Sequence, residues 1–386
     1  MERSIGKGPT FAKAALLSAL SPLVLAVACA GCELPAGSDG RIGSSAEGNF
    51  EAASYRRLTV VDWNVQSLFD GVDAGTEYEE FSAETGWTDR NYRVRLERAA
   101  DALSRFPEGG ADIIALEEIE NGTVLADLAA ALPARLGYRW TAFAANAGGA
   151  LGLGLISRIA PTGLRTHSVS AFGDAVPRPI LEARFRAGNA DLALLICHWK
   201  SKLGGEGETE ASRRASARAV ARVADELARD EPGTALLVAG DLNENVDEFS
   251  RISGAYPTAL LPDGEASAAA ILGDDAVDFP DDCLVLVDAR PPRALFFDGG
   301  PCWYDPWYAD AWPGSYSYRG AWETIDHLLC APSLFDGRGW EYASFAVAEG
   351  EPFTDSAGFP DRYDTRSGTG LSDHLPIMAA LVVGDD

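Results

Sequence analysis

The side chains of this chain best suited to chemistry sit where apolar runs stop. Residues 235–245, ALLVAGDLNEN, pass from five apolar residues through Gly240 into Asp241 and Asn243, as a strand buried on both faces does when it ends in a tight turn. The pattern recurs: Asn64 closes LTVVDWNV, Glu118 ends the apolar run of ADIIALEEIEN, and His198 ends DLALLICH. Near the C-terminus Asp326 lies in TIDHLLC, and Asp373 and His374 precede the final apolar run of GLSDHLPIMAALVV. Each alone has an ordinary reading, since an Asn or a Gly-Asp-Leu-Asn turn can simply end a strand. Asp241, Asn243 and Asn245 also have the alternate spacing of an EF-hand loop, but Val246 replaces the required Gly and Ile252 the bidentate Glu. Together they are harder to explain as structure, because groups beyond one edge of an open α/β sheet converge on a ligand crevice. Carboxylates, amides and imidazoles suit a hard divalent cation and a phosphate, and no thiolate set competes.

The elements that must position these groups alternate between strand and helix. Residues 58–65, 151–158, 181–185, 191–200 and 284–289 read as strands, and residues 91–106, 122–132 and 209–229 as helices. Glu117 and Glu118 are adjacent on a strand and face opposite sides, so Glu118 is expected at the site and Glu117 on the other face. Along residues 209–229, Arg213, Arg214, Arg218 and Arg222 read as a solvated face. His167 reads as a surface histidine in a polar loop, and the aromatics of residues 303–322 as a packed loop. Ser372 has no GxSxG elbow to make it a nucleophile.

The 386 residues show no internal repeat and no second domain boundary, and the net charge of −26 argues against a broad basic face for phosphate backbones. Residues 1–31 read as an export signal: Arg3, Lys7 and Lys13 precede an apolar run too short to span a membrane. That segment holds one acid and three bases, so its removal takes the charge from −26 to −28. LAVACAGC is similar to the lipobox of bacterial lipoproteins, with Cys32 or Cys29 as the lipidated residue. Residues 32–56 form a Gly/Ser/Ala-rich tether, and residues 57–386 one catalytic domain. In an oxidising compartment Cys283 and Cys302 are candidates for a disulfide, whereas Cys197 and Cys330 read as buried thiols.

WNVQSLFD, ALEEIEN, CHWKSK, GDLNEN, ETIDHLL and LSDHLPI, in this order, resemble the motifs of the endonuclease/exonuclease/phosphatase superfamily. The resemblance implies an α/β four-layer sandwich: two mixed sheets face to face with helices outside. It implies Mg²⁺, with Mn²⁺ or Ca²⁺ as alternatives, held by Glu118 with Asn64 ordering the site and Asp373 as a further contact. Asp241 then positions or deprotonates water, Asn243 binds the phosphate, and Asp326 orients His374, which contacts phosphate oxygens or exchanges a proton. His198 stabilises the pentacovalent phosphorus or protonates the leaving oxygen, and Arg178 and Lys200 support the substrate. Gln66 departs from the family, which often has an acid there, and favours a single cation. The expected activity is phosphodiester hydrolysis by an exported or envelope-tethered nuclease, bound to membrane only through its lipid. No protein partner is implied, and a monomer is expected. The alternatives are a phospholipid phosphodiesterase, a phosphomonoesterase, or an inactive binding lipoprotein.

Overall fold

The computed structural model describes residues 57–106, 109–170, 178–262, 282–288 and 302–383, together with the backbone of 24–28. In chain order the elements are β1 (Val24–Ala28), β2 (Arg57–Leu68), α1 (Asp89–Leu103), β3 (Ile113–Ile119), α2 (Gly122–Ala131), β4 (Trp140–Ala144) and β5 (Gly152–Ser157). There follow β6 (Pro161–His167), β7 (Ile180–Ala187), β8 (Ala190–His198), α3 (Glu206–Asp230), β9 (Ala235–Asp241), α4 (Glu248–Arg251), β10 (Leu260–Pro262) and β11 (Leu284–Val287). The chain ends with β12 (Cys302–Tyr304), β13 (Tyr316–Tyr318), β14 (Ala321–Glu323), β15 (Asp326–Cys330), β16 (Trp340–Val347) and β17 (Ile377–Val383).

Two mixed sheets result, ordered β1-β4-β5-β3-β2-β17-β16 and β10-β11-β12-β15-β9-β8-β7-β6. Leu58, Val60, Ile113, Leu192, Leu194, Leu237, Leu328 and Ile377 fill the space between them. Leu96, Leu103 and Leu125 of α1 and α2 cover the outer face of the first sheet, and Val220, Val223 and Leu227 of α3 that of the second. The expected four layers are therefore present. On β9, Leu237 and Ala239 face the other sheet while Leu236 and Val238 face α3, which is why that run has no polar alternation.

β1 pairs antiparallel with β4. It lies in the apolar run read as a leader, and the unpaired backbone of an edge strand is what such a run can add to. Both candidate lipidation cysteines, Cys29 and Cys32, and residues 32–56 lie outside the described residues. Among the described residues no helix is long and apolar enough to cross a membrane. Cys283 and Cys302, the candidates for a disulfide, share one apolar cluster with Phe249, Leu261 and Val285.

Three expectations change. Arg213 is not on a solvated face: it is fully buried, on the stripe of α3 that carries Ala217, Val220, Ala224 and Leu227. Its guanidinium meets Glu210 at 2.6 Å and Glu244 at 3.2 Å and donates to the Lys200 and Glu206 carbonyls. This joins α3 to the turns after β8 and β9. His167 ends β6 rather than lying in a loop, and binds the buried Glu182 carboxylate. The aromatics of 303–322 divide, with Trp303, Tyr304 and Trp307 in the core and Tyr316 and Tyr318 on a hairpin facing the cleft described below.

A second buried ionic link lies behind the site. His327 Nδ1 is 2.7 Å from Asp305 Oδ2, and its Nε2 is 2.8 Å from the Glu244 carbonyl. Burial opposes the imidazolium, but Asp305 and that carbonyl outweigh it and raise the His327 pKa.

Arg213→Met is expected to cost about 3–5 kcal/mol in urea unfolding, because it strands two buried carboxylates; a loss under 1 kcal/mol, the level of a surface pair, would contradict the link. For His327 the folded pKa exceeds the unfolded value of about 6.5. Its stabilisation is thus complete below that pH and fades as pH rises through the folded pKa. Thermal midpoints measured from pH 6 upward should fall less steeply in His327→Gln than in wild type, and equal slopes would refute the ionic link.

Candidate active site

Strand register aligns the first set of reactive groups. Asp326 on β15 pairs with Asp241 on β9, which pairs with His198 on β8, giving one row across three neighbouring strands. Each is the next position on the face that carries Leu328, Ala239 and Ile196 into the space between the sheets. The site is therefore the polar end of the inter-sheet core. Gly240 permits the close approach of β8 and β9: its φ is +142°, and a Cβ there would lie 1.9 Å from the Cys197 carbonyl oxygen.

The other sheet supplies Asn64 and Glu118. Asn64 follows Val60 and Asp62 on the inward face of β2, and its Nδ2 donates to Asp241 Oδ2 at 3.0 Å and to Glu118 Oε1 at 3.4 Å. Its Oδ1 accepts from the Gln66 N–H at 3.0 Å. Asn64 thus orients two acids through its donors, and its oxygen is used by the backbone. By strand parity Glu117, the register partner of Asn64, should point inward and Glu118 away. A register shift after Leu116 and a left-handed backbone at Glu118, φ +64°, turn the second acid into the cleft. Ser67 Oγ donates to Glu118 Oε2 at 2.8 Å.

His374 faces the row from the loop before β17. Its Nδ1 is 2.8 Å from Asp326 Oδ2 and its Nε2 is 4.0 Å from Asp241 Oδ2. Ser315 donates to Asp326, and the Tyr316 ring packs 4.6 Å from the imidazole. Burial disfavours charge on His374, but Asp326, Asp241 and Asp373 outweigh it and raise the pKa to about 10. His198 is the opposite case: burial, with Arg178, His374 and Lys200 nearby, holds it well below the usual range. Its Nε2 is 3.5 Å from Asp241 and 3.8 Å from Glu118. One imidazolium and one neutral imidazole thus flank Asp241. Burial raises the Asp241 pKa to about 7, with His374 and the Asn64 hydrogen bond opposing and Asp326 and Glu118 adding to the shift.

Glu118, His198, Asp241 and His374 open into a cleft of about 850 Å³ that also takes in Asn243, Arg178 and Asp373. Asn243 has a left-handed backbone, φ +55°, and its Nδ2 shares the Trp199 carbonyl with the Arg178 guanidinium. Burial raises the Asp373 pKa, with His374 opposing and Glu118 adding. Lys200 is not brought to the cleft: its ammonium donates to Ser201 and Leu203 in its own loop, and Lys202 lines the wall instead. Asn245 braces the site, accepting from the Thr324 N–H and donating to Glu248. Ser372 Oγ donates to the Asn64 carbonyl, a structural use.

The donor set fits a hard divalent cation. Glu118, Asp373 and Asp241 are hard oxygen donors, and the burial and lesser carboxylate repulsion that raise Asp241 and Asp373 are what a bound cation offsets. Asp241, Asp326 and His374 also bring ligand atoms within 4.8 Å of one another, but the hydrogen bond from His374 occupies Asp326. Beneath the cleft, Asp62 and Glu117 have four buried carboxyl oxygens without a donor. Burial holds both well above the carboxylate range; Asp62 raises Glu117 further, whereas Asp326 adds to the shift of Asp62 and Glu117 opposes it. Such a pair is stable only when it carries a proton.

Sequence reasoning missed Ser67, Tyr316, Arg95 and Arg213. Arg213 and Arg95 had a signal, their places on the apolar stripes of α3 and α1. The others depend on chain segments far apart in sequence.

No curated protein matches the chain. Among solved structures, TDP2 from Caenorhabditis elegans is 15% identical with a TM-score of 0.50, over 85% of this chain and 74% of that one. A Bacteroides thetaiotaomicron mannosyl-6-phosphatase is 15% identical with a TM-score of 0.48, over 84% and 99%. D. rerio TDP2 complexed with single strand DNA product is 12% identical with a TM-score of 0.47, over 84% and 98%. At such identities the likeness concerns the fold. The family model described as Endonuclease/Exonuclease/phosphatase family matches residues 59–256, the stretch that carries Asn64, Glu118, His198, Asp241 and Asn243. With more than half of the chain matched, this protein belongs to the endonuclease/exonuclease/phosphatase family.

Proposed function

We propose that this protein is a metal-dependent phosphodiesterase of the cell envelope that cleaves nucleic acid. The observation that carries the reading is the row Asp326–Asp241–His198 facing Glu118, with His374 held by Asp326. Asp241 Oδ2 takes the proton of the attacking water, a task suited to a carboxylate whose pKa lies at about 7. His374 presents Nε2–H to a phosphoryl oxygen, while Asp326 fixes its Nδ1 and stabilises the imidazolium. His198 stays neutral and orders the attacking water beside Asp241, and as the P–O bond to the leaving group breaks, the departing oxygen takes a proton from the His374 imidazolium, directly or through water. Asn243 and Arg178, anchored on one carbonyl, supply further donors for the phosphate. A divalent cation held by Glu118, with Asp373 as a further contact, would supply charge neutralisation at the phosphoryl oxygens.

Nucleic acid is favoured by what surrounds these groups. Although the chain carries −26 and the cleft wall also holds Glu80, Glu206, Glu323 and Asp364, it presents Arg178, Arg362 and Arg366 with the rings of Tyr78 and Tyr318, its Lys202 being paired with Glu248. Local cations with aromatic faces suit a single-stranded phosphodiester, whose bases stack on rings. Export and a lipid tether at Cys29 or Cys32 complete the proposal, supported by the leader-like sequence of residues 1–31.

Purified protein should cleave single-stranded DNA, RNA or bis-p-nitrophenyl phosphate with Mg²⁺ and stop in EDTA. Cleavage of sphingomyelin or of sugar phosphates alone would replace the nuclease reading, and inactivity on the whole panel would end the enzyme reading. Asp241→Asn and His374→Ala should each lower turnover by about 100-fold or more without unfolding; near-wild-type rates would remove those assignments. Radiolabelled fatty acid should enter the wild-type protein in bacterial cells and not a Cys29→Ser/Cys32→Ser double variant. Equal labelling, or none in either, would contradict the tether.

A further inference from the structure

Two consecutive residues after Asn64, Gln66 and Ser67, have left-handed backbones with φ of +55° and +57°. Neither is glycine, so the bend needs outside support. Arg95 of α1, buried to 2% exposure, provides it. Its Nη1 donates to the Ser67 carbonyl at 2.8 Å, and its Nη2 donates to the carbonyls of Val65, at 2.8 Å, and Gln66. These bonds all go to backbone carbonyls, and the guanidinium lies 4.0 Å from the Tyr363 ring centroid. A planar fork can grip successive carbonyls while its face stacks on a ring, which an ammonium cannot do.

The supported bend reaches the cleft in two directions. Ser67 Oγ donates to Glu118 Oε2 at 2.8 Å. Gln66 holds the loop opposite: its Nε2 donates to the Tyr363 carbonyl at 3.0 Å, and its Oε1 accepts the N–H groups of Tyr363 at 2.9 Å and Asp373 at 3.0 Å. Glu118 and Asp373 come from opposite ends of the domain, yet both are tied to one bend. The same pattern accounts for an amide at position 66. A carboxylate there would set its oxygen against the Tyr363 carbonyl instead of donating to it.

We propose that the Arg95–Gln66–Ser67 bend is a positioning device that sets the affinity of the cleft for its divalent cation by fixing Glu118 and Asp373 together. This rests on the reading that those two carboxylates hold the cation. Outer residues that orient metal ligands typically change affinity by about 10- to 100-fold when replaced. Gln66→Leu removes every side-chain bond to the loop. Gln66→Asn keeps an amide but is one methylene too short to reach Tyr363.

Mn²⁺ binding is measured on the purified protein by the electron paramagnetic resonance signal of free Mn²⁺, with no substrate present. The melting midpoint without metal is recorded for each variant. The expected result is Mn²⁺ affinity about 10-fold or more weaker in Gln66→Leu, and in Gln66→Asn, while both remain folded at the assay temperature. Folded variants that bind Mn²⁺ within twofold of wild type overturn the proposal, even if their midpoints fall. Should Gln66→Leu not fold, Gln66→Asn decides. Wild-type protein that binds no Mn²⁺ overturns the cation reading of Glu118 and Asp373, and the positioning role with it; this outcome is distinct from loss of the variant effect alone.

Discussion

The register of β15, β9 and β8 is the constraint on which the rest depends. Because side chains alternate along a strand, a slip of one residue would send Asp326, Asp241 or His198 to the opposite face. The apolar residues preceding them resist that slip, since Leu328, Ala239 and Ile196 are fully buried between the sheets. Hydrophobic burial therefore sets the chemistry. The interaction that holds Leu237 and Leu194 inside also aims the carboxylate and imidazole that follow on the same faces.

Placing charges at the end of a core is costly, and the surrounding structure offsets that cost locally. Asp326 accepts from His374 and Ser315, and Asp241 from Asn64 and the Asn243 N–H. Glu244 pairs with Arg213 and accepts the Leu260 N–H at 2.7 Å, while His327 is balanced by Asp305. The turns carrying Asp241, Asn243 and the His198 strand end are thereby fixed from behind as well as from the sides. Glu118, though it accepts from Ser67 and Asn64, and Asp373 are more exposed, with side chains at 21% and 17%. That difference separates the groups that stay buried and organised from those that open to the cleft.

Much of this was legible in the sequence because strand ends are written in local patterns. Long apolar runs stopping at Asn64, His198 and Asp241 marked strands and their exits, and motif order extended the picture to Asp326 and His374. The same reasoning failed where a residue's environment is made by distant chain. Arg213 looked like one arginine among several on a helix, yet it lies under the turn that carries Glu244. Lys200 followed His198 closely enough to suggest a substrate contact, but the turn rotates its ammonium into its own loop. The amide of Gln66 looked like a missing acid, and its purpose emerges only beside Tyr363, almost three hundred positions away.

The sequence alone determined the alternation of strands and helices, the inward faces of the main strands and the residue types that end them, because these follow from periods of two and 3.6 residues. Tertiary structure decided which of two adjacent acids enters the cleft. Parity assigns the inward position to Glu117, and only the left-handed backbone at Glu118 brings the second acid to Asn64 and Ser67. It also decided protonation, since the two imidazoles differ through their surroundings: Asp326 keeps His374 charged while burial near Arg178 keeps His198 neutral. Both decisions depend on contacts between segments far apart in the chain, which no local pattern encodes.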